Sequence, residues 1–117
     1  MATFQLSAQG NAQILEVSGR IEPDHWKGLK EALQQGADAA SSQPKGVLLV
    51  DLEKLEYIAS SGFRELFLTG RQMSREGGFL AVCALQGEVK RVFQLAGFAT
   101  AYPVFETRQA ALAHFGC

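Results

Sequence analysis

Gly46-Val47-Leu48-Leu49-Val50-Asp51-Leu52-Glu53-Lys54-Leu55-Glu56-Tyr57-Ile58-Ala59-Ser60-Ser61-Gly62-Phe63-Arg64-Glu65-Leu66-Phe67-Leu68-Thr69-Gly70-Arg71-Gln72-Met73-Ser74-Arg75-Glu76 is the stretch from which the rest of the chain is read. Val47 to Val50 is a short apolar run, as expected of a strand buried on both faces in a parallel sheet. Asp51 closes it, and a polar connection leads to Tyr57 and Ile58. From Phe63 the period changes. Phe63, Leu66, Phe67, Gly70 and Met73 recur at three- and four-residue spacing, which places them on one face of a helix. Between the two periods stand Ser60, Ser61 and Gly62. The order is strand, loop, serine turn, helix.

A serine turn at a helix start has two readings. The first N–H groups of a helix lack partners within it, and serine side chains cap them. The same N–H groups, at the positive end of the helix dipole, suit a phosphate. Ligands and modifications on open α/β sheets also gather beyond the carboxyl ends of the strands.

Upstream, Phe4 and Leu6 alternate with polar neighbours, Gln9-Gly10-Asn11 reads as a turn, and Ile14, Leu15 and Val17 form a second strand, together an N-terminal hairpin. Glu22-Pro23 opens a long helix in which Trp26, Leu29, Leu33, Ala37 and Ala40 keep helical spacing. Trp26 is assigned to the core and His25, one position off that face, to the solvent. Ser41 to Gly46 is a loop by composition. Downstream, Gly77-Gly78 ends the second helix and Phe79 to Leu85 is a buried strand. Val89, Val92, Phe93 and Ala96 mark a helix that Gly97 stops. Tyr102 to Phe105 is a last strand, and Thr107 caps a final helix that turns Ala111, Leu112 and Phe115 inward. Helix and strand alternating after an initial hairpin predict a mainly parallel sheet with right-handed crossovers, about five strands and four helices in a single domain over residues 1–117. Crossovers that progress in one direction place the helices on one face.

Composition removes several classes. The chain has 117 residues, 47% hydrophobic and 20% charged, with a formal net charge of −1 and no basic run. That balance fits one soluble domain, predicted cytoplasmic, with no reason to expect a nucleic-acid partner, membrane insertion or a secretory leader. Cys83 lies in an apolar run and reads as a buried thiol, Cys117 as an exposed chain end. His25 and His114 are far apart, so no metal spacing exists and no cofactor is implied. No phosphate loop, dinucleotide fingerprint or nucleophile elbow occurs, and the clustered Asp51, Glu53 and Glu56 have no acid/base spacing, so no catalytic role is assigned. On the outer face of the second helix, Arg64, Leu68, Arg71 and Arg75 fall together. They form either a docking patch or a solvated stripe with one stray leucine.

Asp51-Leu52 with Leu55, then Tyr57-Ile58-Ala59-Ser60-Ser61-Gly62-Phe63 and Leu66, resembles the signature of the STAS domain family, the bacterial anti-sigma factor antagonists. Gly19 to Glu22 and Val89 to Phe115 also fit, so the resemblance covers nearly the whole chain. It implies a β–α superhelix with an N-terminal strand added. It also implies phosphorylation of the first serine, Ser60 (Ser61 as the alternative), with Glu22, Asp51, Ala59, Ser61 and Gly62 around it. The implied partners are a serine-kinase anti-sigma factor, which uses ATP and magnesium, and a metal-dependent serine phosphatase. Ala59 stands where the family usually has Asp, and so does Glu22. Two other readings follow from the same resemblance: a non-switching STAS subunit, for example of a lipid-transport ABC system, and a nucleotide-binding module.

Overall fold

The structure, a computed structural model, describes residues 2–117. Strand β1 (Ala2–Gln9) and strand β2 (Ala12–Ile21) form the N-terminal hairpin. Gly10, at φ +56°, supplies the backbone that a two-residue connection needs. A short 3₁₀ turn (Pro23–His25) leads into helix α1 (Trp26–Ala40), so the long first helix expected from Pro23 onward is regular only from Trp26. Strand β3 (Val47–Asp51), strand β4 (Leu55–Ile58) and helix α2 (Ser60–Arg75) follow, then β5 (Phe79–Cys83), α3 (Gly87–Leu95), the single-turn α4 (Phe98–Ala101), β6 (Val104–Phe105) and α5 (Arg108–Phe115). The sheet runs β1-β2-β3-β5-β6, with β1 antiparallel and every other pairing parallel.

β4 occupies what reads in sequence as a polar connection. It pairs with the far end of β2 (Gly19 to Ile21), in line with β3, which pairs with Ala12 to Glu16. Only Leu55 and Ile58 of β4 are buried, while Glu56 and Tyr57 face outward. An edge segment held by backbone pairing needs no apolar run.

The helices do not all lie on one face. Leu15, Val17, Leu48, Val50, Leu80 and Val82 point to the side covered by α1, α2, α3 and α4, where they meet Leu29, Leu33, Leu66, Met73, Phe93 and Phe98. Ile14, Val47, Leu49, Ala81 and Cys83 point to the other side and are covered by Ala111 and Leu112 of α5. Burying each large side chain contributes about 1.5–3 kcal/mol, so the first layer carries most of the stability.

Several side chains depart from their expected places. Trp26 is half-buried at the first position of α1, with the Lys27 and Lys30 ammonium groups 5.6 and 6.0 Å from its ring centroid. Val92 and Ala96 of the third helical segment are exposed, and Val89 and Phe93 alone hold its inner face. β5 stops at Cys83 because Ala84 turns to φ +62°. Cys117 is half-buried against the α5 layer rather than exposed. α2 ends as its glycines predict. Gly77 is at φ +84°, its N–H donates to Ser74 C=O (3.3 Å), and Gly78 N–H donates to Met73 C=O (2.8 Å).

Candidate functional site at the serine turn

The end of β4 fixes the turn. Ala59 N–H donates to Ile21 C=O at 2.8 Å, which holds the residue before α2 against the end of β2. Ala59 is the N-cap, extended at φ −74° and ψ 158°, and its C=O accepts from Gly62 N–H (3.0 Å) and Phe63 N–H (2.9 Å). No side chain caps the helix, so neither serine is the cap.

The two hydroxyls differ. Ser61 is half-buried and donates to Pro23 C=O at 2.9 Å, tying the first turn of α2 to the 3₁₀ turn ahead of α1. Ser60, the first residue of α2, is exposed. Gly62 permits this arrangement. A Cβ there would stand 2.6 Å from Ile21 Cγ2 and 3.3 Å from Ile58 Cγ1, so a larger residue would push the helix start off the sheet.

Glu22 lies at the same end of the sheet. Its carboxylate accepts from Arg20 Nε–H at 3.1 Å, with both side chains about half exposed. Its N–H donates to His25 Nδ1 at 3.1 Å. That bond makes Nδ1 an acceptor, and the contact of the same atom with Arg20 C=O at 3.2 Å needs the other tautomer. The Arg20 guanidinium lies 4.6 Å from the Tyr57 ring centroid. Arg20, His25 and Tyr57 are therefore neighbours of the turn that sequence reasoning did not select. The pairing of Arg20 with Tyr57 depends on β4, which leaves no apolar pattern to find it by.

Asp51 belongs to a different cluster. It alternates with Val47 and Leu49, so it faces α5, not α2. Its Oδ2 accepts from Arg108 Nε–H at 2.8 Å and lies 2.8 Å from Arg108 Nη2, and its Oδ1 accepts from Glu53 N–H at 3.1 Å. Arg108 also meets Glu16 at 3.1 Å. Burial acts to lower the Arg108 pKa, but the hydrogen bonds it donates to the Asp51 and Glu16 carboxylates, with their charges, outweigh it and hold the guanidinium above its ordinary value. Burial pushes the adjacent Cys83 thiol up to about 12, with the Asp51 charge adding to the shift. This is a closed electrostatic staple.

Arg64, Leu68, Arg71 and Arg75 lie together on the outer face of α2, all exposed, Leu68 by 41%. None of the three arginines takes part in an ion pair among the described residues. A shallow depression lined by Leu68, Arg71, Gln72, Arg75 and Glu76 runs along this face. Ser60, Arg64 and Leu68 follow one another at four-residue spacing, so the serine heads the same stripe. A cavity of about 170 Å³ lies elsewhere, between α3, α4 and β6, lined by Leu85, Phe93 and Phe105 among others.

Comparison with known proteins places the chain. The family profile described as Mlab, STAS domain, matches residues 4–106. The chain belongs to the STAS domain family. BtrV of Bordetella bronchiseptica, whose name assigns it as an anti-sigma factor antagonist, is 37% identical over 86 residues, covering 72% of this chain and 74% of that protein. Among solved structures, an anti-sigma factor antagonist from Mycobacterium paratuberculosis superposes with a TM-score of 0.82 at 27% identity, over 97% of this chain and 93% of that one. The Bacillus cell fate determinant SpoIIAA in its phosphorylated form shares the fold, with a TM-score of 0.72 at 15% identity, over 97% of this chain and 99% of that one.

Proposed function

We propose that this chain is an anti-sigma factor antagonist switched by phosphorylation of Ser60. The observation that carries the reading is the contrast between the serines: Ser61 has its hydroxyl bonded to Pro23 C=O, whereas Ser60 is exposed at the head of the arginine-leucine stripe. The resemblance to BtrV supports the antagonist role, and a solved phosphorylated form of SpoIIAA, a protein of the same fold, supports the modification.

Unphosphorylated, α2 docks on a serine-kinase anti-sigma factor through Arg64, Leu68, Arg71 and Arg75, and a sigma factor or equivalent regulator is released. The partner uses ATP and magnesium to place a phosphate on Ser60, and a metal-dependent serine phosphatase removes it. The phosphate adds roughly 1.5–2 negative charges at pH 7. At the helix N-terminus the isolated domain tolerates this charge, and Ala59 at the cap sets no carboxylate beside it. In the docked complex the same charge is desolvated, and binding is lost. Glu22, Ala59, Ser61 and Gly62 shape the turn; Asp51, across the sheet, is structural. The chain acts as a regulator rather than an enzyme. No helix of the described residues is long and apolar enough to cross a membrane, and the partners proposed place its work in the cytoplasm.

Incubation with the kinase that co-purifies with the chain, followed by intact mass, tests the assignment. The native chain and Ser61→Ala each gain one phosphate and Ser60→Ala gains none. Equal incorporation into Ser60→Ala rules out Ser60.

A further inference from the structure

The edge of the sheet formed by β1 carries an inference independent of the serine turn. β1 pairs with β2 over eight consecutive residues without a bulge, and its other side is the border of the sheet. Natural edge strands are protected by charge, proline, bulges or shortness. Ala2-Thr3-Phe4-Gln5-Leu6-Ser7-Ala8-Gln9 has no charged residue and no proline. The opposite edge, β6, is two residues long.

The orientation of the free peptide groups follows from the hydrogen bonds of β2. Asn11 C=O accepts from Val47 N–H, Gly19 N–H donates to Lys54 C=O, and Ile21 C=O accepts from Ala59 N–H. Odd-numbered peptide groups of β2 thus turn toward β3 and β4, and even-numbered ones turn toward β1. In the register Ala12↔Gln9, Ile14↔Ser7, Glu16↔Gln5 and Ser18↔Thr3, odd residues of β1 bond to β2. The N–H and C=O groups of Phe4, Leu6 and Ala8 therefore point away from the sheet. The side chains of the same three residues share the α1 side, where Phe4 packs on the core and Leu6 stays 37% exposed.

We propose that β1 is a homodimer edge, pairing antiparallel with β1 of a second copy. With Leu6 opposite Leu6 across a two-fold axis, Phe4 meets Ala8 and each of these pairs exchanges two peptide hydrogen bonds. The other face sets Gln5 against Ser7, polar on polar. A one-residue slip would set apolar against polar side chains and misalign the free peptide groups. Because the strand is uncharged, no like charges oppose across the axis. Such a contact is isologous, consumes both long edges and stops at two copies. It uses no residue of the serine turn or the arginine stripe, so a dimer presents two switches.

Sedimentation of the full chain over a wide concentration range, with amide exchange read by NMR, tests this. A reversible dimer is expected, with protection at Phe4, Leu6 and Ala8 rising with concentration and protection at Gln5 and Ser7 constant. Leu6→Pro removes an outward N–H that β2 does not use, and the variant is expected to be monomeric at every concentration. Leu6→Lys places like charges face to face and should raise the dimer Kd by roughly tenfold or more; this variant decides if Leu6→Pro fails to fold. A monomer at all concentrations, or a dimer unchanged by Leu6→Lys, overturns the proposal.

Discussion

Beyond the carboxyl ends of the strands lie two polar clusters, on opposite faces of the sheet, and they differ in whether their groups are already engaged. In the cluster facing α5, both Asp51 oxygens are taken, by Arg108 and by Glu53 N–H, and Arg108 is shared with Glu16. In the cluster at the head of α2, Ser60 is exposed and three arginines below it lack intramolecular ion pairs among the described residues. Both clusters include residues of the family signature. The contrast teaches that residues of one signature can differ in whether their polar groups close within the domain, as those of Asp51 do, or stand exposed, as Ser60 does.

Three substitutions sharpen that contrast, taken from the largest effect on stability to the smallest. Arg108→Met leaves a buried carboxylate without its cation and should cost about 1–3 kcal/mol in urea unfolding, while leaving partner binding intact. Ser61→Ala removes the bond to Pro23 and should cost about 0.5–1.5 kcal/mol. Ser60→Ala should change stability by less than about 0.5 kcal/mol, as for a surface position free of such features. If Ser60→Ala proved as costly as Arg108→Met, the division into closed and open clusters would fail.

The closed cluster also predicts a pH dependence. The Cys83 thiol is raised from 9.0 to about 12 by burial, so its folded value lies above its unfolded one. The neutral thiol's contribution is thus fully present below pH 9 and is lost as pH rises toward 12. At neutral pH a thiol reagent should modify half-buried Cys117 in the native state and spare Cys83 until the chain unfolds, as read by intact mass. Rapid labelling of both cysteines would contradict a sealed α5 layer.

Much of this was legible in the residues. The run Val47 to Val50 and the three-four spacing from Phe63 to Met73 gave β3 and α2 because a twice-buried strand and a one-sided helix each leave a period. Thr107 was readable as a cap and accepts from Ala110 N–H at 3.0 Å. β4 was not readable, since backbone pairing with β2 holds it and its exposed Glu56 and Tyr57 hide it. The side taken by α5 was not readable either. Among the described residues α5 leads into no further strand, so the handedness rule for crossovers does not fix its side, and Ala111 and Leu112 suit either face. Trp26 kept the helical period yet sits at the first position of α1, half-buried, with the Lys27 and Lys30 ammonium groups over its ring. At the site, Ser60, Ser61 and Gly62 were legible as a turn. Which hydroxyl stays open was not, because it depends on Pro23 C=O, 38 residues away in sequence.

The central claim is that charge at Ser60 controls docking of α2. Its most direct test is calorimetric binding of the partner kinase to Ser60→Asp and Ser60→Ala, side by side with the native chain. The account predicts native-like affinity for Ser60→Ala and a loss of about 2–5 kcal/mol for Ser60→Asp, as for an uncompensated buried charge. Equal affinities for the two variants would contradict it.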